Sequence, residues 1–269
     1  MFSIIVPTYN QDNLLKKCLE SVVNQTFENW EVIIINNHSK DETLKVIQSF
    51  DDDRIKSRNF RNNGIIAASR NYGINLAKFP YISFLDSDDF WLPKKLEKSF
   101  SYLTKGNDIV CHDEIWIWPD GTKKLVNYGP EENTLYKNLL FKGNVISTSA
   151  FSCKKNLILD LNGFNESPLM AGNEDYDLWM RISKIGKYKF KFIQEPLGYY
   201  RIHQNNNSKK LLKQLKTEIY VINEHYKGSK FSESPFNYLK FFLRIIKALF
   251  GSIIKSNEFI YKTMIKIRK

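Results

Sequence analysis

The first hundred residues alternate between short, almost continuously apolar runs and amphipathic segments, and this alternation constrains the fold more than any other feature. Apolar runs predict strands at Phe2 to Val6, Trp30 to Ile35 and Tyr81 to Leu85, and the short stretch Arg54 to Ser57 is predicted as a fourth strand. The segments between them predict three helices, at Asp12 to Val23, Asp41 to Phe50 and Ile65 to Lys78, the second capped by Ser39. Strands without polar alternation are buried on both faces. We therefore expect an α/β fold, a mainly parallel sheet with helices on both faces.

Polar residues follow three of these predicted strands, at the point where each strand ends. They are the loop Pro7 to Asn10, the pair Asn36–Asn37 and the stretch FLDSDDFW, Phe84 to Trp91. Ligands bind outside the carboxyl ends of strands in such sheets, so we expect the three loops to converge on one binding edge. The carboxylates of DSDD repel one another. Either water screens them in an acidic loop, or a divalent cation, Mg²⁺ or Mn²⁺, lies between them.

The pattern changes after Pro93, where the residues predict a helix to Lys105 and then the strand DIVCHDE. The next segment, WIWPDGTKKLV, predicts a hairpin that turns at Asp120–Gly121. The segment NEDYDLWMRISKIG predicts another helix, and the polar, basic residues 205 to 235 predict one surface helix and a loop.

The C-terminal segment from Pro235 is apolar and basic at helical spacing. Its cations, Lys240, Arg244, Lys247 and Lys255, are predicted to lie on one helix face. Large apolar residues fill a broad opposite face: Phe241, Phe242, Ile245, Ile246, Leu249, Phe250, Ile253 and Ile254. Each cation at a bilayer centre costs about 2.5–3.5 kcal/mol, which argues against a spanning helix. We expect an amphipathic helix on an anionic membrane surface; a helix packed on the core, or a contact in a homo-oligomer, are the alternatives.

The net charge of +11 indicates an anionic partner: nucleic acid, a phosphorylated ligand or an acidic membrane surface. Because the C-terminal cations stand among large apolar residues, a membrane fits better than a nucleic acid. No G-x-G-x-x-G turn follows a predicted strand, which argues against a dinucleotide-binding oxidoreductase. A receiver-like phosphotransfer domain would need an acidic pair where this chain has PTYN. Three widely spaced cysteines and no signal-peptide pattern at Met1 favour a reducing, cytoplasmic compartment.

Five segments in register resemble the family 2 glycosyltransferases. They are residues 3–43, which begin with SIIVPTYN and end with DET, and then NNGIIAASRNYGI, YISFLDSDDFW, GFNE and NEDYDLWMRI. The resemblance covers about residues 2 to 203. It implies a GT-A (Rossmann-like) fold, a nucleotide-sugar donor and inversion at the anomeric carbon. It also implies a GT-A domain at 1–204, with a nucleotide-sugar-binding half at 1–105 and an acceptor half at 106–204. Residues 205–269 lie outside the resemblance, and from their helical charge pattern we expect a basic helical extension that anchors the protein at the membrane surface.

The resemblance implies roles for individual residues on the donor side. The nucleotide-sugar-binding residues are Pro7, Thr8, Tyr9, Asn10, Asn36, Asn37, Asn63, Arg70, Asp86 and Ser87. Asn36 and Asn37 depart from the family pattern, which has two aspartates there. An amide oxygen can accept the uracil imide proton, but without charge assistance the bond is weaker.

The resemblance also implies a metal site and a catalytic base. Asp86 and Asp88 match the D-x-D motif, and His203 matches an element that approaches the metal or the diphosphate, so Asp86, Asp88 and His203 are the predicted ligands of Mn²⁺ or Mg²⁺. Asp175 matches the general base, with Glu174 beside it. Read without the family, this acidic pair would instead complement the dipole of the helix that it opens.

On the acceptor side, the stretch Asn144 to Ser149 is predicted to border the acceptor, and Trp116 and Trp118 are candidates to stack on sugar rings. The expected reaction moves a hexose, such as glucose, galactose or an N-acetylated form, from a UDP-sugar to a lipid-linked, polyprenyl-diphosphate saccharide. Its expected setting is bacterial surface polysaccharide synthesis, such as O-antigen or capsule, at the inner face of the cytoplasmic membrane. The alternative is an inactive nucleotide-sugar-binding or scaffold protein with the same fold.

Overall fold

One mixed sheet organises the fold, which a computed structural model describes for residues 1–129, 134–203, 211–227 and 229–256. The strands are β1 Phe2–Thr8, β2 Trp30–Asn36, β3 Ile55–Asn59, β4 Tyr81–Phe84, β5 Phe90–Trp91, β6 Ile109–Ile117, β7 Lys123–Val126, β8 Phe151–Lys154 and β9 Phe190–Arg201. The helices are α1 Asp12–Val23, α2 Thr43–Gln48, α3 Ile66–Leu76, α4 Lys95–Thr104, α5 Leu135–Lys142, α6 Lys155–Asp160, α7 Glu174–Ile185, α8 Leu211–Lys227 and α9 Pro235–Ser256.

The strand order places several carboxyl ends on one edge of the sheet. The order is β3-β2-β1-β4-β8-β6-β9-β5, with β7 paired to β6. Strands β1 to β4 are parallel, whereas β8 runs antiparallel to both β4 and β6. Because two reversals restore the direction, β6 and its parallel partner β9 point the same way as β4. The edge predicted to bind ligands therefore also receives the ends of β6 and β9.

Both faces of the sheet are covered by helices, as the apolar strands predict. On β1, Ile5 packs into a core with residues of α3, α5, α7 and α8. Its neighbours Ile4 and Val6 pack on the other side with residues of α1 and α4. The period-2 alternation of a strand explains why adjacent residues of β1 serve different cores.

Most predicted elements are present, and several end within two or three residues of the expected position. Helix α1 has the predicted bounds, and the hairpin of β6 and β7 pairs Ile117 with Lys123 around the expected turn. The predicted cap at Ser39 is wrong, because α2 begins at Thr43. The Ser39 hydroxyl instead donates a hydrogen bond to Asn36 Oδ1, at 2.7 Å.

The C-terminal helices pack on the first of these cores. Helix α8 buries Val221 and Ile222 there, so its prediction as a surface helix is only half right. The prediction that Arg244 lies on an outer cationic face is wrong: its side chain is 4% exposed and pairs with Glu218. Phe241 stacks on Tyr226, with 4.1 Å between ring centroids. One face of α9 is thus packed on the protein.

The opposite face of α9 is apolar and open. It carries exposed side chains at helical spacing: Tyr238, Leu239, Phe242, Leu243 and Leu249. None of the helices in the described ranges has the length and hydropathy needed to cross a bilayer. The side chains of Lys247 and Lys255, residues 204–210 and residues 257–269 lie outside the part of the chain that the structure describes.

Candidate active site

The three polar loops that follow β1, β2 and β4 meet at the predicted edge. The amide of Asn37 donates to the carbonyl of Thr8, at 3.0 Å. The hydroxyl of Ser87 donates to Gln11 Oε1, at 2.6 Å. These contacts join all three loops, so the convergence expected from the strand pattern is confirmed.

Two of the three aspartates of DSDD have basic partners from distant parts of the chain. Asp86 Oδ1 lies 2.8 Å from Arg70 Nη2 on α3. Asp88 Oδ2 lies 2.8 Å from Nε2 of His203, which follows β9. The positive charge of Arg70 reduces the repulsion that a free cluster of carboxylates would suffer.

The third aspartate, Asp89, turns into the protein. It is 1% exposed and accepts hydrogen bonds from the Ser149 hydroxyl, at 2.6 Å, and from the Arg201 amide, at 2.9 Å. Burial and the neighbouring charge of Asp88 raise the pKa of Asp89 well above its usual range. Asp89 therefore holds two loops together, which leaves Asp86 and Asp88 to face the site.

Arg70 connects the aspartate loop to the start of α7. Its Nη1 lies 2.7 Å from Glu174 Oε1, while Nη2 binds Asp86. Burial opposes the charge on this side chain, but the two carboxylates hold its pKa above the ordinary value. The resemblance implied that Arg70 binds the nucleotide sugar; the structure shows that it links Asp86 to Glu174.

Asp175, the predicted base, lies in the first turn of α7. The Thr148 hydroxyl donates to its Oδ2, at 3.0 Å, and the Tyr176 amide donates to Oδ1, at 2.7 Å. Burial and the adjacent Glu174 raise the pKa of Asp175 to about 6, against the opposing charge of Arg70. A carboxylate with this pKa is ionised at neutral pH and basic enough to accept a proton from a hydroxyl group.

Helix α8 fixes the turn that carries this carboxylate. The side-chain amide of Asn173 donates to Thr217 Oγ1, at 2.7 Å, and to the Gln214 carbonyl, at 3.2 Å. His225 Nε2 lies 3.0 Å from Asp177 Oδ1. The sequence indicated no connection between these residues, because α8 falls outside the segments that carry the family resemblance.

Two consecutive hydroxyl residues, Thr148 and Ser149, serve two different carboxyl groups. Thr148 binds Asp175 and Ser149 binds Asp89. The stretch Asn144 to Ser149 was predicted only to border an acceptor. The run of hydroxyls was the available signal for this further role, since each can donate to a carboxylate.

The sequence did not indicate the carboxyl group of Glu114 as a site residue. Glu114 lies on β6 and is fully buried, with the Tyr128 hydroxyl donating to its Oε2, at 2.8 Å. Burial raises its pKa to about 7, although the hydrogen bond from Tyr128 opposes the rise. Its place near the carboxyl end of a predicted strand was the signal that could have found it.

The predicted nucleotide-binding residues divide into exposed and inward-facing groups. Tyr9 is 51% exposed, and Asn63 is exposed in a turn with φ +52°. Asn36, by contrast, is fully buried: its amide nitrogen donates to Asn59 Oδ1 and its oxygen accepts from Ser39. The buried hydroxyl of Ser87 is engaged with Gln11.

Four other predicted donor-side residues lie in or next to the loops. Asn10 Oδ1 accepts from the Lys40 amide, and Asn37 Oδ1 accepts from the Asn62 amide. Pro7 and Thr8 are buried at the end of β1. A direct contact with a nucleotide base is therefore more accessible to Tyr9 than to Asn36.

The chemistry of Asp88 and His203 fits a divalent cation. A carboxylate oxygen and an imidazole nitrogen are both donors that Mn²⁺ accepts, and here they lie side by side. In the described ranges, no group of three His, Cys, Asp or Glu side chains is arranged to hold a metal ion. A two-residue site suits Mg²⁺ or Mn²⁺, which usually completes its coordination with substrate phosphates and water. Asp86, the third predicted ligand, has one oxygen on Arg70.

Comparison with known proteins gives a family and several relatives. The family profile described as Glycosyl transferase family 2 matches residues 3–153. An uncharacterized glycosyltransferase of Methanocaldococcus jannaschii is 32% identical, with 100% of this chain and 93% of the relative covered. The Escherichia coli protein WfgD, named UDP-Glc:alpha-D-GlcNAc-diphosphoundecaprenol beta-1,3-glucosyltransferase, is 30% identical over 97% of each chain.

Solved structures match over most of the chain. The S. aureus TarS fragment 1-349 in complex with UDP-GlcNAc superposes with a TM-score of 0.66 at 18% identity, covering 96% of this chain and 82% of that one. The mannosyltransferase PcManGT of Pyrobaculum calidifontis, in complex with GDP-Man and Mn²⁺, gives a TM-score of 0.59 at 14% identity, with 98% and 78% covered. At these identities the likeness concerns the fold.

Proposed function

Since this chain belongs to glycosyltransferase family 2 and has the GT-A fold, we propose that it moves a hexose from a UDP-sugar to a lipid-linked saccharide, with inversion. The observation that carries the proposal is the position of Asp175. Its carboxylate, with a pKa of about 6, adjoins the Arg70–Glu174 pair that leads directly to Asp86. A base of suitable pKa thus lies next to the residues expected to hold the donor.

The proposed reaction is one in-line displacement. Asp175 accepts the proton of an acceptor hydroxyl, and that oxygen forms a bond to the anomeric carbon. The bond from this carbon to the diphosphate oxygen breaks on the opposite face, and UDP leaves with the electron pair. Thr148 keeps the Asp175 carboxylate oriented through its hydrogen bond of 3.0 Å.

On the donor side, this chain's residues bind and orient the nucleotide diphosphate. Asp88 and His203 would hold Mn²⁺ or Mg²⁺, which when bound supplies positive charge to the leaving diphosphate. A neighbour of the same fold binds Mn²⁺ together with GDP-Man, which supports this assignment. Asp86, held by Arg70, is assigned to the ribose or the cation, and Tyr9 to the nucleotide base.

The proposed acceptor is a saccharide on a polyprenyl diphosphate, at the inner face of the cytoplasmic membrane, on the way to a surface polysaccharide such as O-antigen or capsule. The name of the relative WfgD, which describes a sugar on diphosphoundecaprenol, supports a lipid-linked acceptor. The open apolar face of α9 supports a membrane surface, and the neighbouring helix α8 carries the exposed lysines Lys213, Lys216 and Lys227. Exposed apolar side chains together with cations suit a surface of anionic lipids.

A thermal-shift experiment tests the donor class. The protein is heated with UDP, GDP, CMP or dTDP, each with and without Mn²⁺, and the midpoint of unfolding is compared, because a ligand that binds only the folded state raises it. We expect UDP to stabilise the protein, and to do so only with Mn²⁺. Stabilisation by another nucleotide instead of UDP would overturn the proposed donor. Absence of any shift would favour a protein of this fold that lacks nucleotide-sugar transfer.

A further inference from the structure

Strand β6 carries a row of side chains that leads outward from the aspartate loop. Glu114 and Trp116 are two residues apart, so they project from the same face of the strand, with Trp116 about 7 Å farther along it. Glu114 pairs with Gly198 of β9, and Gly198 pairs on its other side with Trp91, two residues after Asp89. Glu114 is therefore separated by one strand from the end of the aspartate loop, and Trp116 is the next position toward the rim.

A chain of hydrogen bonds fixes the orientation of the Trp116 indole. Its Nε1 donates to the hydroxyl oxygen of Tyr128, at 3.2 Å, and that hydroxyl donates to Glu114 Oε2, at 2.8 Å. Tyr200 on β9 pairs with Trp116 in the sheet, and its ring lies against the indole, with 5.1 Å between ring centroids. The ring is thus held by a strand neighbour and by a relay that ends on a buried carboxyl group.

Trp116 also differs from the other tryptophans in exposure. All five tryptophans lie in the described part of the chain, and Trp30, Trp91, Trp118 and Trp179 are buried there. Trp116 is partly exposed. An indole that is held in place and still partly open to solvent is a surface that a ligand can cover. The prediction that Trp118 also stacks on sugar is not supported, since that side chain is 6% exposed.

The position on the sheet separates Trp116 from the nucleotide side. The loops that carry Tyr9 and Asn37, on the side of the nucleotide base, follow β1 and β2, whereas β6 lies on the other side of β4, two strands away. With neighbouring strands about 4.8 Å apart, β6 is about 10 Å from β4 and farther from β1. A ligand at Trp116 therefore lies across β4 from the nucleotide base, which leaves room for the second substrate of the proposed transfer.

We infer that Trp116, backed by Tyr200 and held by Tyr128, forms a platform on which a pyranose ring of the acceptor saccharide stacks. The C–H groups on one face of a pyranose are apolar and weakly positive, which suits the negative face of an indole ring. The inference rests on the proposed glycosyl transfer and adds to it the subsite that receives the acceptor sugar. Trp116 contacts the saccharide, while Tyr200, Tyr128 and Glu114 are positioning residues.

Tryptophan fluorescence tests the platform without knowledge of the full acceptor. The protein is titrated with the methyl α- and β-glycosides of glucose, galactose, N-acetylglucosamine, N-acetylgalactosamine and mannose, with and without UDP and Mn²⁺. We expect at least one glycoside to change the emission. Trp116→Phe should abolish that change, and the matched control Trp118→Phe should preserve it. The inference is overturned if no glycoside changes the emission, or if the change persists in Trp116→Phe.

Kinetics with an N-acetylglucosamine α-diphosphoryl alkyl acceptor supply the second readout. We expect Trp116→Ala to raise the KM for this acceptor by about tenfold, with a change of less than about twofold in the KM for the UDP-sugar. Tyr128→Phe should raise the acceptor KM by a smaller factor, because the indole remains but loses its partner. Equal increases in both KM values would overturn a platform specific to the acceptor.

The two failures can be told apart. If UDP does not stabilise the protein but a glycoside still changes the emission of Trp116, the proposed donor is wrong and the platform stands. If UDP stabilises the protein but no glycoside changes the emission, the platform is wrong and the proposed donor stands.

Discussion

Arg70 and Glu174 form a buried ion pair between α3 and α7, with 2.7 Å between Nη1 and Oε1. Their side chains are 4% and 5% exposed, so water cannot replace either partner. The other end of the same guanidinium binds Asp86. One cation thus ties the aspartate loop to the turn that carries the proposed base.

Loss of this cation should destabilise the fold. We expect Arg70→Met to lower the free energy of unfolding by about 3–5 kcal/mol, because Glu174 is left buried without an opposite charge. Urea denaturation measures the change. The double variant Arg70→Met/Glu174→Gln is the control, since it removes the stranded charge as well. The single variant Glu174→Gln is measured as well. If the costs of Arg70→Met and Glu174→Gln add up to the cost of the double variant, the ion pair is not the cause.

The pH dependence of transfer should follow Asp175. Because the base must be ionised and its pKa is about 6, kcat/KM should fall as the pH drops through about 6 and level off above it. Thr148→Val removes a hydrogen bond that favours the ionised form, so the pKa should rise and the acid limb should move to higher pH. Thr148→Ser keeps the hydroxyl and should keep the profile. An acid limb unchanged in Thr148→Val would contradict this role.

Metal dependence should be lost with Asp88. We expect Asp88→Ala to abolish transfer and to remove Mn²⁺ binding in the presence of UDP. The electron paramagnetic resonance signal of free Mn²⁺ measures this binding. His203→Gln should weaken binding, because it removes the adjacent nitrogen donor. Asp51→Ala removes an exposed carboxylate elsewhere and serves as the control. Full activity of the unaltered protein in EDTA would refute a metal-dependent reaction.

The open face of α9 should be required for membrane binding. We expect the triple variant Leu239→Ser/Phe242→Ser/Leu243→Ser to lose sedimentation with phosphatidylglycerol vesicles, with no drop in the thermal midpoint, because these side chains are exposed. Phe241→Ser is the matched control: it should lower the midpoint, since Phe241 stacks on Tyr226.

The membrane experiment has one outcome that would contradict it and one less informative alternative. Sedimentation of the triple variant with vesicles would show that the binding surface lies elsewhere. Deletion of residues 236–269 tests less, because it also removes Phe241 and Arg244 from the core and so confounds release with unfolding.

A buried lysine should make stability depend on pH. Lys95 is fully buried, and its Nζ donates to the hydroxyls of Ser83, at 3.0 Å, and Ser152, at 2.8 Å. Burial lowers its pKa well below the usual value, so the unfolded chain binds more protons and stability should rise with pH toward the ordinary lysine range.

Lys95→Met tests this effect. The variant should remove that slope and raise stability near pH 7 by on the order of 1 kcal/mol, because no charge is buried. Ser83 and Ser152 remain satisfied, since they hydrogen-bond each other at 2.7 Å. Chemical denaturation from pH 7 to pH 9 measures both effects. If stability depends on pH in Lys95→Met as it does in the unaltered protein, another group causes this dependence.

The local pattern of the sequence was sufficient for the elements that place the site. Strands β1, β2 and β4 and helix α1 carry strong, regular periodicity, which depends only on near neighbours and can be read without the fold. The convergence of three loops on one edge followed from the parallel direction of these strands. The family resemblance added roles for Asp86, Asp88, Asp175 and His203. In the structure these residues lie at that edge or contact residues that do.

What the tertiary structure decided is which partner each polar group meets. DSDD is one short acidic stretch in the sequence, yet Asp86 binds Arg70, Asp88 binds His203 and Asp89 turns inward to Ser149. The rotation of α9 decided in the same way that Arg244 is buried. By itself the sequence determined the sheet and the edge where chemistry is possible, because hydrophobic periodicity is local. Ion pairs, buried carboxyl groups and the held indole of Trp116 depend on residues far apart in the chain, whose distances exist only in the folded protein.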